Sequence, residues 1–191
     1  MKLSRKAFVR YWLPVLIMLS LIAVESTGYL SAYHTKEALE RALALIGIDI
    51  DFPRMDEANT ALRKIGHFVG YALLSFLVFR AFRGTHRYLH EGYEGWLSSA
   101  ISGIRREAAI GTVWRAQWAM MGWVFASLVA IADEMHQRTV PSRTGTLADV
   151  ILDSSAALAV QFAIYYFNMR SAHRLLGAEK ENAASSRRSS L

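Results

Sequence analysis

The segment from Ala132 to Asp153 constrains this chain most, because it places ionisable side chains between two long apolar runs. The apolar part before it, Trp118 to Ala132, is shorter than the roughly 20 residues that an α-helix needs to cross the hydrocarbon of a bilayer. A membrane helix here must therefore carry Asp133 and Glu134 at or just inside the membrane boundary. Charged residues within a membrane normally face the protein interior and are paired. The segment predicts a polar site between membrane-spanning helices.

The composition fits insertion into a membrane. Hydrophobic residues make up 53% of the 191 residues, although 20% are charged. Both figures are explained when the apolar residues form spans and the charges lie between them. Apolar runs predict spans over residues 11–30, 65–82, 114–137 and 146–167. We expect an all-α fold, an integral membrane four-helix bundle. The chain contains no cysteine, which excludes disulfides and thiolate sites.

Basic residues predict the orientation of these spans. They are concentrated before the first span, between the second and third spans, and in the tail. The residues are Lys2, Arg5, Lys6 and Arg10, then Arg80, Arg83, Arg87, Arg105, Arg106 and Arg115, then Arg170, Arg174, Lys180, Arg187 and Arg188. Because lysine and arginine are enriched in cytoplasmic segments, both termini are predicted to be cytoplasmic. The net charge of +6 is attributed to contact with anionic lipid rather than nucleic acid.

The predicted organisation has four parts. Residues 1–30 form the first transmembrane helix with its basic N-terminus, although a basic start and a short apolar run also occur in signal peptides. Residues 31–63 form an outer loop with a short surface helix. Residues 64–170 form the core, with three transmembrane helices and an amphipathic cytoplasmic segment at about residues 96–110. Residues 171–191 form a basic tail that is predicted to be disordered.

Two blocks of sequence carry most of the ionisable residues of the predicted outer site. The first reads KIGHFVGYALLSF from Lys64 to Phe76, and the second reads DEMHQRTVPSRTGTLADVILD from Asp133 to Asp153. Together they resemble the VanZ-like family of small bacterial membrane proteins. The resemblance implies a link to low-level teicoplanin resistance but no particular reaction. The site residues that it implies are Lys64, His67, Tyr71, Asp133, Glu134, Gln137, Arg143, Asp149 and Asp153.

Two interpretations of the acidic residues remain open. In the catalytic one, Asp133 or Glu134 acts as a general base and His67 as an acid or orienting group, and Asp153 is the fourth candidate catalytic residue. In the structural one, Asp133 pairs with Lys64 or Arg143 and holds the helices together.

The other site residues are candidates for substrate binding: Lys64, Tyr71, Gln137, Arg143 and Asp149. The side chains of Lys64 and Arg143, beside a helix N-terminus, suit a phosphate or carboxylate. Asp149 has a structural alternative, because Thr146 and Asp149 have the spacing of a capping box, in which the two side chains cap the start of a helix.

A metal site is a weaker alternative. The residues His67, Asp133, His136 and Asp153 offer nitrogen and oxygen ligands, but no characteristic metal-binding spacing supports them. The preferred interpretation therefore assigns no metal and no cofactor. Ser154 and Ser155 lack the flanking glycines of a nucleophile elbow, so they are not assigned as nucleophiles.

The sequence as a whole predicts a multi-pass protein of the bacterial cytoplasmic (inner) membrane. Its partners are expected to be membrane lipids and an anionic, lipid-linked envelope precursor. The protein is expected to bind this precursor in an outward-facing pocket and, in one version of the hypothesis, to modify it. One alternative is a non-catalytic module that binds or shields an envelope component. Another is a small transporter or proton relay that uses Asp153 and Gln161. The sequence does not determine an oligomeric state.

Overall fold

The computed structural model describes residues 3–27, 32–48, 51–101, 115–141, 143 and 145–189. This part of the chain is helical throughout and contains no strand, in agreement with the predicted all-α class. Its helices are α1 (Arg5–Tyr11), α2 (Leu13–Glu25), α3 (Ala32–Leu45), α4 (Phe52–Ile101), α5 (Ala116–Gln137) and α6 (Leu147–Ser189).

Three helical segments are long and apolar enough to cross a membrane: Pro53–His86, Ala116–Gln137 and Leu147–Arg170. The first predicted span is not one straight helix, because α1 and α2 meet at an angle of 44°. Pro14 lies in the first turn of α2, where its missing N–H removes a hydrogen bond that a continuous helix would need. The described residues therefore contain three candidate spans, or four if α1 and α2 cross together.

Helix α4 is much longer than the predicted second span of residues 65–82. It begins at Phe52, with Pro53 in its first turn, and continues to Ile101. Proline is tolerated at this end of a helix, and after Pro53 the next proline is Pro141, so no proline forces the helix to stop after Phe82. The amphipathic helix predicted for residues 96–110 is helical up to Ile101, and its remainder lies outside the described residues.

The last helix also extends beyond its prediction. The predicted fourth span ended near Phe167 and a disordered tail followed from residue 171, but the backbone of α6 is helical to Ser189. The reason is local, because this tail is rich in alanine, leucine, glutamate, lysine and arginine, all of which favour helices. The prediction from composition gave too much weight to the polar character of the tail.

The surface helix predicted in the outer loop is present as α3. It ends at Leu45, and Gly47, two residues later, is the one described glycine with a positive φ, of 74°. The Ile48 N–H donates to the Leu43 carbonyl at 3.0 Å. A side chain at position 47 would be strained in this left-handed conformation, so glycine suits the end of the helix.

Small residues allow α4, α5 and α6 to pack closely. Gly122 of α5 lies so near α4 that an added Cβ would be 2.8 Å from the Ser75 carbonyl oxygen. Ala126 of α5 and Ala157 of α6 are completely buried in the same core. Close contact through small residues is the usual way in which membrane helices associate. This packing fixes the relative rotation of the three helices, and with it the direction of their polar side chains.

The bent pair α1 and α2 packs on the outside of α4. The Trp12 indole N–H donates to Thr85 Oγ1 at 2.9 Å, and the Trp12 ring meets Phe82 edge to face at 5.3 Å. Tyr11 lies against Gly84, where an added Cβ would be 2.3 Å from the Tyr11 ring. These contacts fix the junction of α1 and α2 against the part of α4 from Phe82 to Thr85.

Candidate functional site

Most of the residues predicted for the site lie where four helices come together. Helix α2 ends there with Glu25, and α4 passes through with His67 and Tyr71 one turn apart. Helix α5 contributes its last turn and α6 its first two turns. The buried side chains at this place are called the polar group, together with Glu25. They belong to His67, Tyr71, Asp133, Glu134, Gln137, Arg143 and Asp153.

His67 lies between two carboxylates from different helices. Its Nδ1 atom is 3.2 Å from Asp153 Oδ2, and its Nε2 atom is 3.2 Å from Glu25 Oε1. Asp153 is completely buried, and the His67 ring stacks on Tyr71 with ring centroids 6.2 Å apart. The two acceptors fix the orientation of the imidazole ring, as carboxylates do for histidines in catalytic and metal sites.

Asp133 receives two hydrogen bonds on the same oxygen. Tyr71 donates its hydroxyl to Asp133 Oδ2 at 3.1 Å, and Gln137 donates its amide at 3.0 Å. Asp133 and Gln137 share a face of α5, as their spacing predicted. Two hydrogen bonds of Asp133 thus come from neutral groups, whereas the structural interpretation of the sequence paired it with Lys64 or Arg143.

Glu134 connects the end of α5 to the start of α6. Its Oε2 atom accepts the Thr146 N–H at 2.8 Å. Gly145 allows this approach, because an added Cβ would lie 2.4 Å from the Glu134 carbonyl oxygen. The Arg138 side chain donates to the Gly145 carbonyl at 3.2 Å. The glycine is required by close contact, since any side chain would push the connection away from α5.

Thr146 caps the start of α6, and Asp149 is its partner in the third helical position. The Asp149 N–H donates to Thr146 Oγ1 at 3.2 Å, and the Thr146 hydroxyl donates to Asp149 Oδ2 at 2.7 Å. In a standard capping box, the third residue of the helix accepts the N–H of the capping residue. Here Glu134 accepts that N–H instead. Asp149 therefore stabilises the start of α6 and is only partly buried.

Arg143 lies in the connection between α5 and α6 and reaches back to α2. Its guanidinium donates to the main-chain carbonyls of Glu25 and of Thr27, the latter at 3.1 Å. Burial lowers the pKa of this guanidinium. A buried arginine that satisfies the last carbonyls of a helix holds that helix end in place. These contacts give Arg143 a structural role at the end of α2, a partner that the sequence did not predict.

Two other residues considered from the sequence lie apart from this group. Lys64 is exposed on α4 and makes no hydrogen bond or ion pair with the described residues of the group. His136 is exposed at the end of α5, where its Nδ1 atom is 2.9 Å from Ser26 Oγ. The metal set that includes Asp133 and His136 is therefore not assembled as proposed.

The structure assembles a different group of potential ligands. One atom each from His67, Glu134 and Asp153 lie within 4.8 Å of one another, and all three residues are buried. Glu25 is the second partner of His67. The sequence places Glu25 at the end of the first predicted span, on the same side as the start of the second span, but it did not predict the pairing with His67.

A second polar contact joins the helices deeper in the bundle. The Gln161 amide donates to the Ser75 hydroxyl at 2.7 Å and to the Ser75 carbonyl at 3.1 Å, and the Ser75 hydroxyl donates to the Ala157 carbonyl at 2.9 Å. The Gln161 amide thus donates its hydrogen bonds to Ser75 of α4. In the described structure it does not extend a hydrogen-bonded path from Asp153. This arrangement offers no support for the proposed proton path.

A cavity of about 330 Å³ opens between α2 and α4 beside His67. Its walls are mainly apolar, and its polar lining residues lie at one end. The apolar lining comes from Met18, Leu21, Ile22, Leu62, Gly66 and Gly70, and the polar lining from Glu25, Thr35, Arg63, His67 and Tyr71. Such a shape suits a molecule with a polar head and an apolar chain.

Comparison with known proteins agrees with the resemblance seen in the sequence. Neither the curated proteins nor the solved structures gave a significant match. A family model described as VanZ/LLP1 matches residues 8–168, which include α2, α5 and all the residues of the polar group. This chain, an all-helical protein with membrane-capable helices, therefore belongs to the VanZ/LLP1 family.

Proposed function

We propose that this protein binds an anionic, lipid-linked component of the cell envelope at the outer face of the bacterial cytoplasmic membrane. In this proposal α1 and α2 cross the membrane as one broken span, and the bundle has four crossings with both termini in the cytoplasm. The distribution of basic residues supports that orientation. The polar group, at the end of α5 and the start of α6, is then on the outer side.

The cavity between α2 and α4 is the observation that carries this proposal. Its apolar walls, with Met18 on α2 and Gly70 on α4, would receive part of a hydrocarbon chain. Its polar end, with Arg63 and His67, would receive the headgroup. Gly66 and Gly70 leave space, since an added Cβ at residue 66 meets nothing within 4 Å. The cavity thus combines both requirements of an amphiphilic ligand.

The charges around the cavity limit where an anion can bind. Glu25 and Asp153 flank His67 and would repel a phosphate placed directly between them. Arg63 lines the cavity without being fully buried, so its guanidinium is the group best placed to meet a phosphate in the fork geometry that arginine favours. Lys64, exposed next to Arg63, would add positive charge at the rim.

The test is a titration of the purified protein, in neutral detergent, with a polyprenyl phosphate and with the uncharged polyprenol. We expect polyprenyl phosphate to bind more tightly than polyprenol. We expect Arg63→Gln to weaken the binding of polyprenyl phosphate by about tenfold to a hundredfold, which corresponds to the loss of a charge-assisted hydrogen bond. Arg54→Gln is the matched control, because Arg54 is exposed on the same helix. Equal binding of both lipids, or no effect of Arg63→Gln, would contradict the proposal.

In the catalytic version of this proposal, His67 acts on the bound headgroup and Asp153 orients it. His67 lines the cavity, whereas Asp133 and Glu134 are not among its lining residues. Mass spectrometry of the lipid recovered after incubation distinguishes the versions. A changed headgroup that depends on His67, and not on the exposed His136, supports catalysis. An unchanged headgroup supports the version in which the protein only binds and shields the envelope component. A contribution to teicoplanin resistance would then come from this shielding.

A further inference from the structure

Three buried side chains that can ligate a metal lie together where α4, α5 and α6 meet. They belong to His67, Glu134 and Asp153, and one candidate ligand atom from each is within 4.8 Å of the other two. Each residue comes from a different helix. The group is therefore held by helix packing rather than by a local sequence motif, which explains why no spacing in the sequence revealed it.

Asp153 provides an independent indication that a ligand belongs at this place. Its side chain is completely buried, and its Oδ1 atom makes no hydrogen bond with the described residues. Burying a carboxylate oxygen without a donor is unfavourable, because the loss of hydration is not offset. A cation bound by both oxygens of Asp153 would supply the missing interaction.

The distance between His67 and Asp153 fits a cation that both residues share. Nδ1 and Oδ2 are 3.2 Å apart, the same separation as that between Nε2 and Glu25 Oε1. Two ligands of a tetrahedral zinc ion, each at about 2.1 Å from the metal, lie roughly 3.4 Å from each other. The observed separation of this pair is close to that value, and an atom of Glu134 lies within 4.8 Å of both.

The neighbours of these ligands occupy the positions that a metal site requires. A histidine that binds a metal through one nitrogen usually donates its other N–H to a carboxylate, and Glu25 lies 3.2 Å from Nε2 of His67. Glu134 accepts the Thr146 N–H with Oε2, which leaves Oε1 for a metal. Both ligands would thus be oriented by a second hydrogen bond.

The charge of the group also favours a cation. Four carboxylates lie at one end of the bundle, those of Glu25, Asp133, Glu134 and Asp153. Among the described residues there, Arg143 is the buried arginine. Carboxylates inside a membrane protein are costly unless opposite charge compensates them. A divalent cation together with Arg143 would compensate more of this negative charge than a protonated His67 together with Arg143.

We infer that His67 Nδ1 and the carboxylates of Glu134 and Asp153 bind a divalent first-row cation, Zn²⁺ or Mn²⁺, with Glu25 orienting His67. The mixed imidazole and carboxylate ligands favour these ions over Mg²⁺ or Ca²⁺, which prefer oxygen ligands alone. The inference does not depend on lipid binding, because it is tested with the cation alone.

The first experiment measures the metal content of the full-length protein in detergent. The protein is stripped with a chelator, equilibrated with Zn²⁺ or Mn²⁺, desalted and analysed by mass spectrometry. We expect one ion per chain, and an affinity at least about tenfold lower in Asp153→Asn and His67→Gln. His136→Gln is the matched control, because it removes an exposed histidine outside the group. Absence of bound metal in the wild type, or equal affinity in all variants, overturns the inference.

A second experiment gives a positive signal. Because the chain has no cysteine, Asp153→Cys introduces its only thiolate, and X-ray absorption of the zinc-loaded variant should show sulfur at about 2.3 Å from the metal. A loaded variant with only nitrogen and oxygen ligands overturns the inference. If the variant does not fold, the wild-type spectrum decides, since it must contain an imidazole ligand.

Discussion

At the scale of single residues, the polar group brings neutral donors to charged acceptors. Tyr71 illustrates this best, because it is 1% exposed and its hydroxyl donates to Asp133. In a medium without water, a buried carboxylate depends on such donors. The aromatic ring of Tyr71 also stacks against His67. One side chain therefore supports both halves of the group.

Replacing Tyr71 by phenylalanine tests this role. The ring is retained, but Asp133 loses one of its two hydrogen bonds, so we expect the free energy of unfolding to fall by about 1–2 kcal/mol. The measurement is an unfolding titration in mixed detergent micelles. Tyr33→Phe is the control, because Tyr33 is 72% exposed and its substitution should change stability little. Equal effects of the two substitutions would show that the hydroxyl of Tyr71 is not important for stability.

At the scale of helices, close approach decides the geometry of the site. Gly122 lets α5 contact α4 at Ser75, and Gly145 lets the connection after α5 contact Glu134. Without these contacts the last turn of α5 and the first turns of α6 would not face His67. The Ser75 and Gln161 hydrogen bonds add a polar contact to the same interface. The helix interface is thus a precondition for the site.

Gly122→Ala and Gly66→Ala form a matched pair of substitutions with opposite expected results. An added Cβ at Gly122 would lie 2.8 Å from the Ser75 carbonyl oxygen, so we expect a loss of about 1–3 kcal/mol in unfolding free energy from overpacking. An added Cβ at Gly66 meets nothing within 4 Å, and alanine should stabilise the helix by about 0.5–1 kcal/mol. The same unfolding titration measures both. A neutral Gly122→Ala would mean that α4 and α5 can separate without cost.

At the scale of the whole molecule, the site is built from segments that are far apart in sequence. His67 and Asp153 are separated by 86 residues, and Tyr71 and Asp133 by 62. The position of the site relative to the membrane therefore follows from the topology of the entire chain. The functional proposal requires that the end of α5 faces outward.

Helix α5 allows this topology to be measured at its two ends. Its 22 residues span about 33 Å, which matches a bilayer, and Ala116 and Thr139 are both exposed. Single cysteines at these positions are the only thiols in the chain. We expect a membrane-impermeant maleimide to label intact cells at residue 139 and not at residue 116. Labelling at residue 116 alone would place the polar group in the cytoplasm and exclude an outer envelope ligand.

Local patterns allowed several features to be predicted before the structure. The apolar runs indicated membrane-capable helices, and the spacing of Thr146 and Asp149 indicated a helix cap. The lengths of α4 and α6 were underestimated, since polar residues after an apolar run were taken as the end of each helix. The bend at Pro14 and the cap on α2 by Arg143 were also not predicted.

The sequence by itself determined the helical class, the membrane-capable segments and the supply of ionisable residues, because hydropathy and capping depend on neighbours within a few positions. Only the tertiary structure decided the partners: Glu25 and Asp153 for His67, and Tyr71 and Gln137 for Asp133. The reason is rotational, since one residue along a helix turns a side chain by about 100°. The rotation of each helix is set by packing at small residues such as Gly122, and that packing involves segments distant in sequence.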